Sequence, residues 1–298
     1  MKTKSVLWKS YTTAYLFIIP SFLFLFIFTY WPVINSFLVS LMKYDISTPK
    51  PVFSGVENYK KMFSAPLFWK VLSNNALYSI FTVICGVVVG MFLSVLIQNK
   101  GLKLKGIFKL SIFYPYVLPM AAASMVWMWL LNPSYGIVNL LLGKLGFPSY
   151  IDWVNDGKYS LPAIIIVAIW KYMGYYVIIY LAGLQSIDNE YYEAAIIEGA
   201  NPWQKFRFIT FPLLTPTTFF VVFLAVINSF QSVDQVYVMT QGGPYDSSNV
   251  LLYYIYQNAF MYGDLGYGST LSFFLLLILL IGTALYFLGL SKFVHYER

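Results

Sequence analysis

Near the end of one apolar run stand Asn228, Ser229, Gln231 and Ser232. Asn228, Ser229 and Ser232 are spaced i, i+1 and i+4, so in a helix they share one face. Amides and hydroxyls held at fixed spots suit a polyhydroxy ligand, whose own hydroxyls need paired donors and acceptors. The same groups serve equally well as hydrogen bonds between helices in a membrane. Two ionisable residues, Lys171 and Asp234, lie in comparably apolar surroundings, where a charge marks a functional path by default. For Lys171 a bridge between helices and a place on a substrate path both stay open. Asp234, close to the outer end of its run, fits a structural or rim role.

Other chemistries are excluded. Cys85 is the only cysteine and His295 the only histidine. A single thiol in an apolar run makes no intrachain disulfide and no tetrahedral metal site, and reads as a small packing residue. One histidine cannot assemble a His-dependent catalytic set. No G-x-x-x-x-G-K-[ST] string occurs, so the chain has no nucleotide site of this type. Neither an enzyme nor a resident cofactor or metal is expected.

The elements that carry these residues follow from composition. Of the 298 residues, 59% are apolar and 10% charged, against roughly 45–50% and 25% in soluble domains. So few charges cannot cover a soluble surface, and the chain reads as an all-α integral membrane protein. Its net charge of +7 then concerns topology and anionic lipid rather than nucleic acid. Six stretches meet the requirement of about 20 apolar residues per span: 15–40, 71–97, 108–131, 161–184, 213–237 and 269–290. Pro20 and Pro32 interrupt the first and Pro115 and Pro119 the third, as membrane helices allow when neighbours satisfy the freed backbone groups. The first stretch is too long for a signal-peptide core and lacks a small-residue cleavage site. It reads as a retained span after a cytoplasmic segment, 1–14, with a second cytoplasmic tail at 291–298. This N-in orientation places eleven Lys and Arg inside and seven outside, although the first outer loop alone holds five lysines. Most of the aromatics, 20% of the chain, belong to lipid-facing positions and the interfacial belt.

The connection 186–212 carries the sharpest pattern. Asp188 and Glu190 open a first helical turn, where negative charge is favourable, and Gly199 fits a C′ glycine. Asn201, Pro202 and Gln204 then spell a capping box with proline at N1, and Pro212 is expected to stop the segment. The spacing predicts two short helices at an angle beneath the membrane. Ala194, Ala195, Gly199 and Ala200 offer a surface of small side chains, with Phe206 and Ile209 as apolar knobs. Such a pair could lie on lipid, but four acidic residues among 188–198 suit an anionic leaflet poorly. A protein partner fits better.

Glu193-Ala194-Ala195, then Gly199, then Ile209 and Pro212 form the string E-A-A-x-x-x-G…I-x-x-P. It resembles the signature loop of permease subunits in binding-protein-dependent ABC importers. Glu198 stands where that family usually has Asp, and Phe211 where Leu is common. Gly55-Val56-Glu57-Asn58-Tyr59, Trp129-Leu130-Leu131-Asn132-Pro133, Leu181-Ala182-Gly183-Leu184-Gln185 and Met239-Thr240-Gln241-Gly242-Gly243-Pro244 resemble its carbohydrate-uptake branch. The last string, with Tyr254-Ile255-Tyr256 after it, is similar to the first of the two permease subunits.

The resemblance implies a type I importer permease fold with six transmembrane helices over 15–290, in a bacterial inner membrane with both termini cytoplasmic. It implies a second permease subunit, two ATPase subunits holding ATP and Mg, and an extracytoplasmic solute-binding protein as partners. Glu193, Ala194, Ala195, Glu198, Gly199, Ala200, Phe206, Ile209 and Pro212 would dock on the ATPase. Matching strings place Tyr116, Trp170, Met173, Gly174, Ser229 and Ser232 along the path of a di- or oligosaccharide, beside Lys171 and Asn228. A glycerol-phosphate or polyol permease is the alternative. A secondary transporter would need ion-coupling residues for which only Lys171 and Asp234 are candidates, and a membrane-embedded enzyme lacks His pairs.

Overall fold

The computed structural model describes residues 15–47, 50–98 and 104–290. The expected cytoplasmic segments 1–14 and 291–298, the latter with His295, and seven of the eleven Lys and Arg counted as cytoplasmic (Lys2, Lys4, Lys9, Lys100, Lys103, Lys292 and Arg298) lie outside the described residues. An apolar chain in lipid must satisfy its backbone internally, and helices do so. The order is α1 (Tyr15–Ser40), a ribbon of β1 (Met42–Lys43) and β2 (Val52–Phe53), α2 (Glu57–Ser64), α3 (Pro66–Gln98), α4 (Lys105–Val117) and α5 (Met120–Leu130). There follow α6 (Ile137–Lys144), α7 (Ser160–Ser186), α8 (Asn189–Ile197), α9 (Pro202–Leu213), α10 (Thr215–Phe230), α11 (Asp234–Met239), α12 (Leu251–Tyr256) and α13 (Leu265–Leu290). Among these, α1, α3, α7 and α13 are each long and apolar enough to cross a bilayer. The pairs α4–α5 and α9–α10 qualify only as bent pairs, giving up to six crossings.

Two expected spans need correction. The third is not continuous over 108–131: α4 and α5 meet at 104°. Leu118, ahead of Pro119, is extended at φ −64° and ψ 143°, because a proline ring disfavours helical backbone in the residue before it. The fifth does not run over 213–237. It bends by 65° between α9 and α10, ends at Phe230, and resumes as α11 only at Asp234. Asp234 thus lies in the first turn of α11, where its charge is favourable.

The described chain forms two compact units. One holds the residues up to Ala65 together with Ile255–Leu277; the other holds Pro66–Tyr254 and the residues from Ile278 onward. In the first, the Ser40 carbonyl accepts from Asn58 at 3.0 Å and from Thr270 at 3.2 Å. Lys61 pairs with Asp264 at 2.9 Å. In the second, α3 and α7 approach closely because Gly86 and Gly90 leave room for Tyr176; a Cβ on Gly90 would lie 2.9 Å from that side chain. Small residues permit such contacts between membrane helices. Tyr176, Tyr180, Leu184, Leu214 and Val221 build the core around them. The segment after α11 is fastened to α3, with Asn74 donating to the carbonyls of Asp246 and Asn249 at 2.8 and 3.0 Å.

Candidate functional site

The connection 186–212 folds as a fastened pair of helices. Asp188 caps α8 by accepting from the Glu190 N–H at 3.1 Å. At the other end Gly199 stands at φ +75°. Its N–H reaches the Ile196 carbonyl at 3.0 Å and the Ala200 N–H reaches Ala195 at 2.8 Å, the paired bonds of a Schellman ending. Asn201 and Gln204 exchange side-chain bonds with each other's backbone at 2.8 and 2.9 Å, completing the capping box. The Tyr192 and Thr210 hydroxyls join α8 to α9 at 3.0 Å. Ile187 and Leu214, where the pair meets the bundle, are buried.

Pro212 does not stop this segment. The helix continues to Leu213, with a π turn over Phe206–Thr210 in which Phe211 donates to Phe206. That widened turn ends two residues before Pro212, which has no N–H to contribute. Phe206 is half-buried, its ring 5.7 Å from Trp203 and 6.3 Å from Phe211, and Ile209 and Pro212 are half-buried with it. The projecting apolar groups are instead Ile197, 85% exposed, Phe208 at 72% and Trp203 at 68%. They share the exposed surface with Glu193, Ala194, Glu198 and Gly199, while Ala195 and Ala200 are partly covered. A Cβ on Gly199 would meet no atom within 4 Å. Ile197, Trp203 and Phe208 are therefore exposed beside the small residues, and nothing in their local sequence distinguishes them from the half-buried Phe206 and Ile209.

The polar residues of α10 face α3. Ser229 Oγ lies 2.7 Å from the Val226 carbonyl and 2.9 Å from the Ser79 hydroxyl. Ser232 has left the helix, so the expected i, i+4 relation does not hold, yet its hydroxyl still meets Tyr78 at 2.9 Å. Gln235, 1% exposed, also donates to the Tyr78 hydroxyl. Asn228 lines a cavity of about 10 Å³ with Tyr78, Thr82, Tyr172, Tyr176 and Ser229, the volume of about one water and far below a ligand site. In this arrangement the face expected to meet a sugar is a closed seam between helices. Its α3 half was readable: Asn74, Asn75, Tyr78, Ser79 and Thr82 repeat at helical spacing in an otherwise apolar run.

Around the α4–α5 break, Tyr116 stacks on Tyr175 with centroids 4.6 Å apart and planes at 8°. Trp170 meets Trp127 edge-on at 5.5 Å, and Met173 is half-buried. Gly174 is buried where the backbone of α4 passes; a Cβ there would run into the Ile112 carbonyl and lie 2.9 Å from Phe113 Cα. Lys171, 5% exposed, donates to the carbonyls of Pro115, Tyr116 and Leu118. Of the two readings open for Lys171, the bridge between helices is the one observed. Elsewhere in this unit Asn132, Pro133, Thr240 and Gln241 line an open cavity of about 370 Å³ with Asp152 and Asn155, bringing together two strings that are far apart in sequence.

Known proteins agree with this architecture. The chain is 34% identical over 274 residues to the sulfoquinovosyl glycerol transport system permease protein SmoG of Agrobacterium fabrum, covering 92% of this chain and 88% of that one. It is 32% identical over 286 residues to the trehalose/maltose transport system permease protein MalF of Thermococcus litoralis, covering 95% of each. A chain in the crystal structure of a bacterial alginate ABC transporter, in complex with an alginate pentasaccharide-bound periplasmic protein, superposes with a TM-score of 0.85. At 20% identity, over 97% of this chain and 98% of that one, the likeness concerns the fold. Residues 86–291 match the family described as binding-protein-dependent transport system inner membrane component, and this chain is a member of that family.

Proposed function

We propose that this chain is the permease subunit of an ATP-driven importer of di- or oligosaccharides, lining half of the translocation path and coupling it to a separate ATPase. The observation that carries the coupling is the α8–α9 pair, capped at both ends of its turn, cross-linked by Tyr192 and Thr210, and displaying Ile197, Trp203 and Phe208 to solvent. Such a pair can move as one body with whatever grips it. Exposed apolar knobs around small residues suit a protein cleft. The carbohydrate names of the relatives support the substrate class. ATP and Mg would be held by two partner subunits, a second permease would complete the path, and a solute-binding protein would deliver the sugar. The location is a bacterial inner membrane with both termini cytoplasmic.

In this reading the closed seam between α3 and α10 opens during transport, exposing Tyr78, Asn228, Ser229 and Ser232 to sugar hydroxyls. The aromatic wall of Tyr116, Tyr175 and Trp170 offers faces on which a sugar ring can stack. Reconstitution with the ATPase and the solute-binding protein tests the proposal. ATP hydrolysis should rise with sugar-loaded binding protein and sugar should accumulate in the vesicles. Uptake without ATPase, driven by an ion gradient, would replace the proposal with a secondary transporter.

A further inference from the structure

We propose that Lys171 is a positioning residue of the translocation path: its ammonium stands in for the backbone donors lost at the α4–α5 break, and is thereby unavailable as a ligand for an acidic sugar. In an unbroken helix the Pro115 carbonyl would accept from residue 119, but Pro119 has no N–H. The helical donor for Tyr116 is Met120, which lies beyond a bend of 104°. Pro115, Tyr116 and Leu118 instead direct their carbonyls at one lysine, and an ammonium has three donors and no more. The cation also opposes the negative end of the α4 dipole.

Gly174, three residues further along α7, lies on the same helix face and lets the α4 backbone approach at Ile112 and Phe113. Lys171 and Gly174 together clamp the end of α4 onto α7. The ring of Tyr116 is held within that clamp, stacked on Tyr175, with the Lys171 ammonium 5.7 Å from its centroid. Among the described residues, the other lysines of these two helices are Lys105 and Lys109, in the first turns of α4. An anionic sugar therefore finds no uncommitted cation where α4 and α7 meet, and a neutral sugar needs none. The path assignment rests on the proposed sugar-permease function; the clamp itself does not.

The test compares Lys171→Met with Lys171→Met/Pro119→Ala in the full complex of permeases, ATPase and binding protein. The second change returns an N–H to residue 119 and lifts the proline's bar on helical backbone at Leu118, so that the break can close and the Pro115 carbonyl can regain its helical donor. Lys171→Met should lower the thermal midpoint and reduce sugar-stimulated turnover roughly tenfold, at an unchanged half-saturating concentration of loaded binding protein. Pro119→Ala should restore most of both losses. The uptake ratio of a neutral oligosaccharide to its uronate counterpart should be the same in wild type and Lys171→Met. If Lys171→Met fails to assemble, recovery of assembly by Pro119→Ala is the readout. Absence of any recovery overturns the clamp, and selective loss of uronate uptake makes Lys171 a ligand instead. A wild-type complex with no sugar response defeats the functional proposal, while the thermal midpoints still judge the clamp.

Discussion

Gly199→Asp, set beside Gly199→Ala, separates the backbone role of this glycine from its place on the proposed docking surface. At φ +75° an L-residue incurs roughly 1 kcal/mol. The two bonds of the Schellman turn, the Tyr192–Thr210 link and the buried Ile187 and Leu214 hold the helix pair against a penalty of that size. Nothing within the chain obstructs the new side chain, since a Cβ meets no atom within 4 Å. A close-packed partner changes the outcome: overfilling costs about 1–3 kcal/mol, and an unpaired carboxylate buried in the interface adds several more. At the low end of these ranges, a cost near 4 kcal/mol corresponds to roughly a thousandfold weaker docking. Gly199→Ala shares the backbone penalty but adds only a methyl group, and should stay within about tenfold of wild type. The assay is ATP hydrolysis stimulated by sugar-loaded binding protein in proteoliposomes, paired with copurification of the ATPase at matched expression. Gly199→Asp should abolish both while its permease remains folded. Equal losses in the Ala and Asp variants would attribute the effect to strain, and full turnover in Gly199→Asp would refute docking at this surface.

Trp203→Ala removes a side chain that is 68% exposed and otherwise meets the Phe206 ring at 5.7 Å, so it should weaken ATPase copurification far more than it lowers the thermal midpoint of the isolated permease pair. Tyr78→Phe deletes the hydroxyl shared by Ser232 and Gln235 and leaves the Gln235 amide without that partner. Thermal unfolding of the solubilised complex should show a loss of about 1–3 kcal/mol, and an unshifted midpoint would mean that water takes over the contact. Gly174→Ala forces a methyl into the Ile112 carbonyl, and the yield of assembled complex should fall, the overpacking amounting to about 1–3 kcal/mol; a normal yield would show that α4 can move away from α7.

Features under local chemical control are legible in the order of the residues alone. Composition and run length mark the four continuous spans α1, α3, α7 and α13, because about 20 apolar residues are needed wherever a helix crosses lipid. Asp188, Gly199, Asn201 and Gln204 specify their caps, since each bond closes within a few residues. Which polar groups face which neighbours is set by how the helices pack. Ser229 and Ser232 carry the same hydroxyls whether they meet a sugar or a helix, and it is the approach of α3, bringing Tyr78 and Ser79, that commits them. Pro119 announces a lost backbone donor, but that its replacement comes from Lys171, more than fifty residues away, depends on α7 packing against α4. The same holds on the α8–α9 pair. Phe206 and Phe208 are equally apolar in the sequence, and the π turn and the ring of Trp203 determine that one is packed and the other projects. Periodicity and caps are properties of neighbouring residues, whereas hydrogen-bond partners and exposure are properties of pairs of surfaces that exist only once the helices have packed.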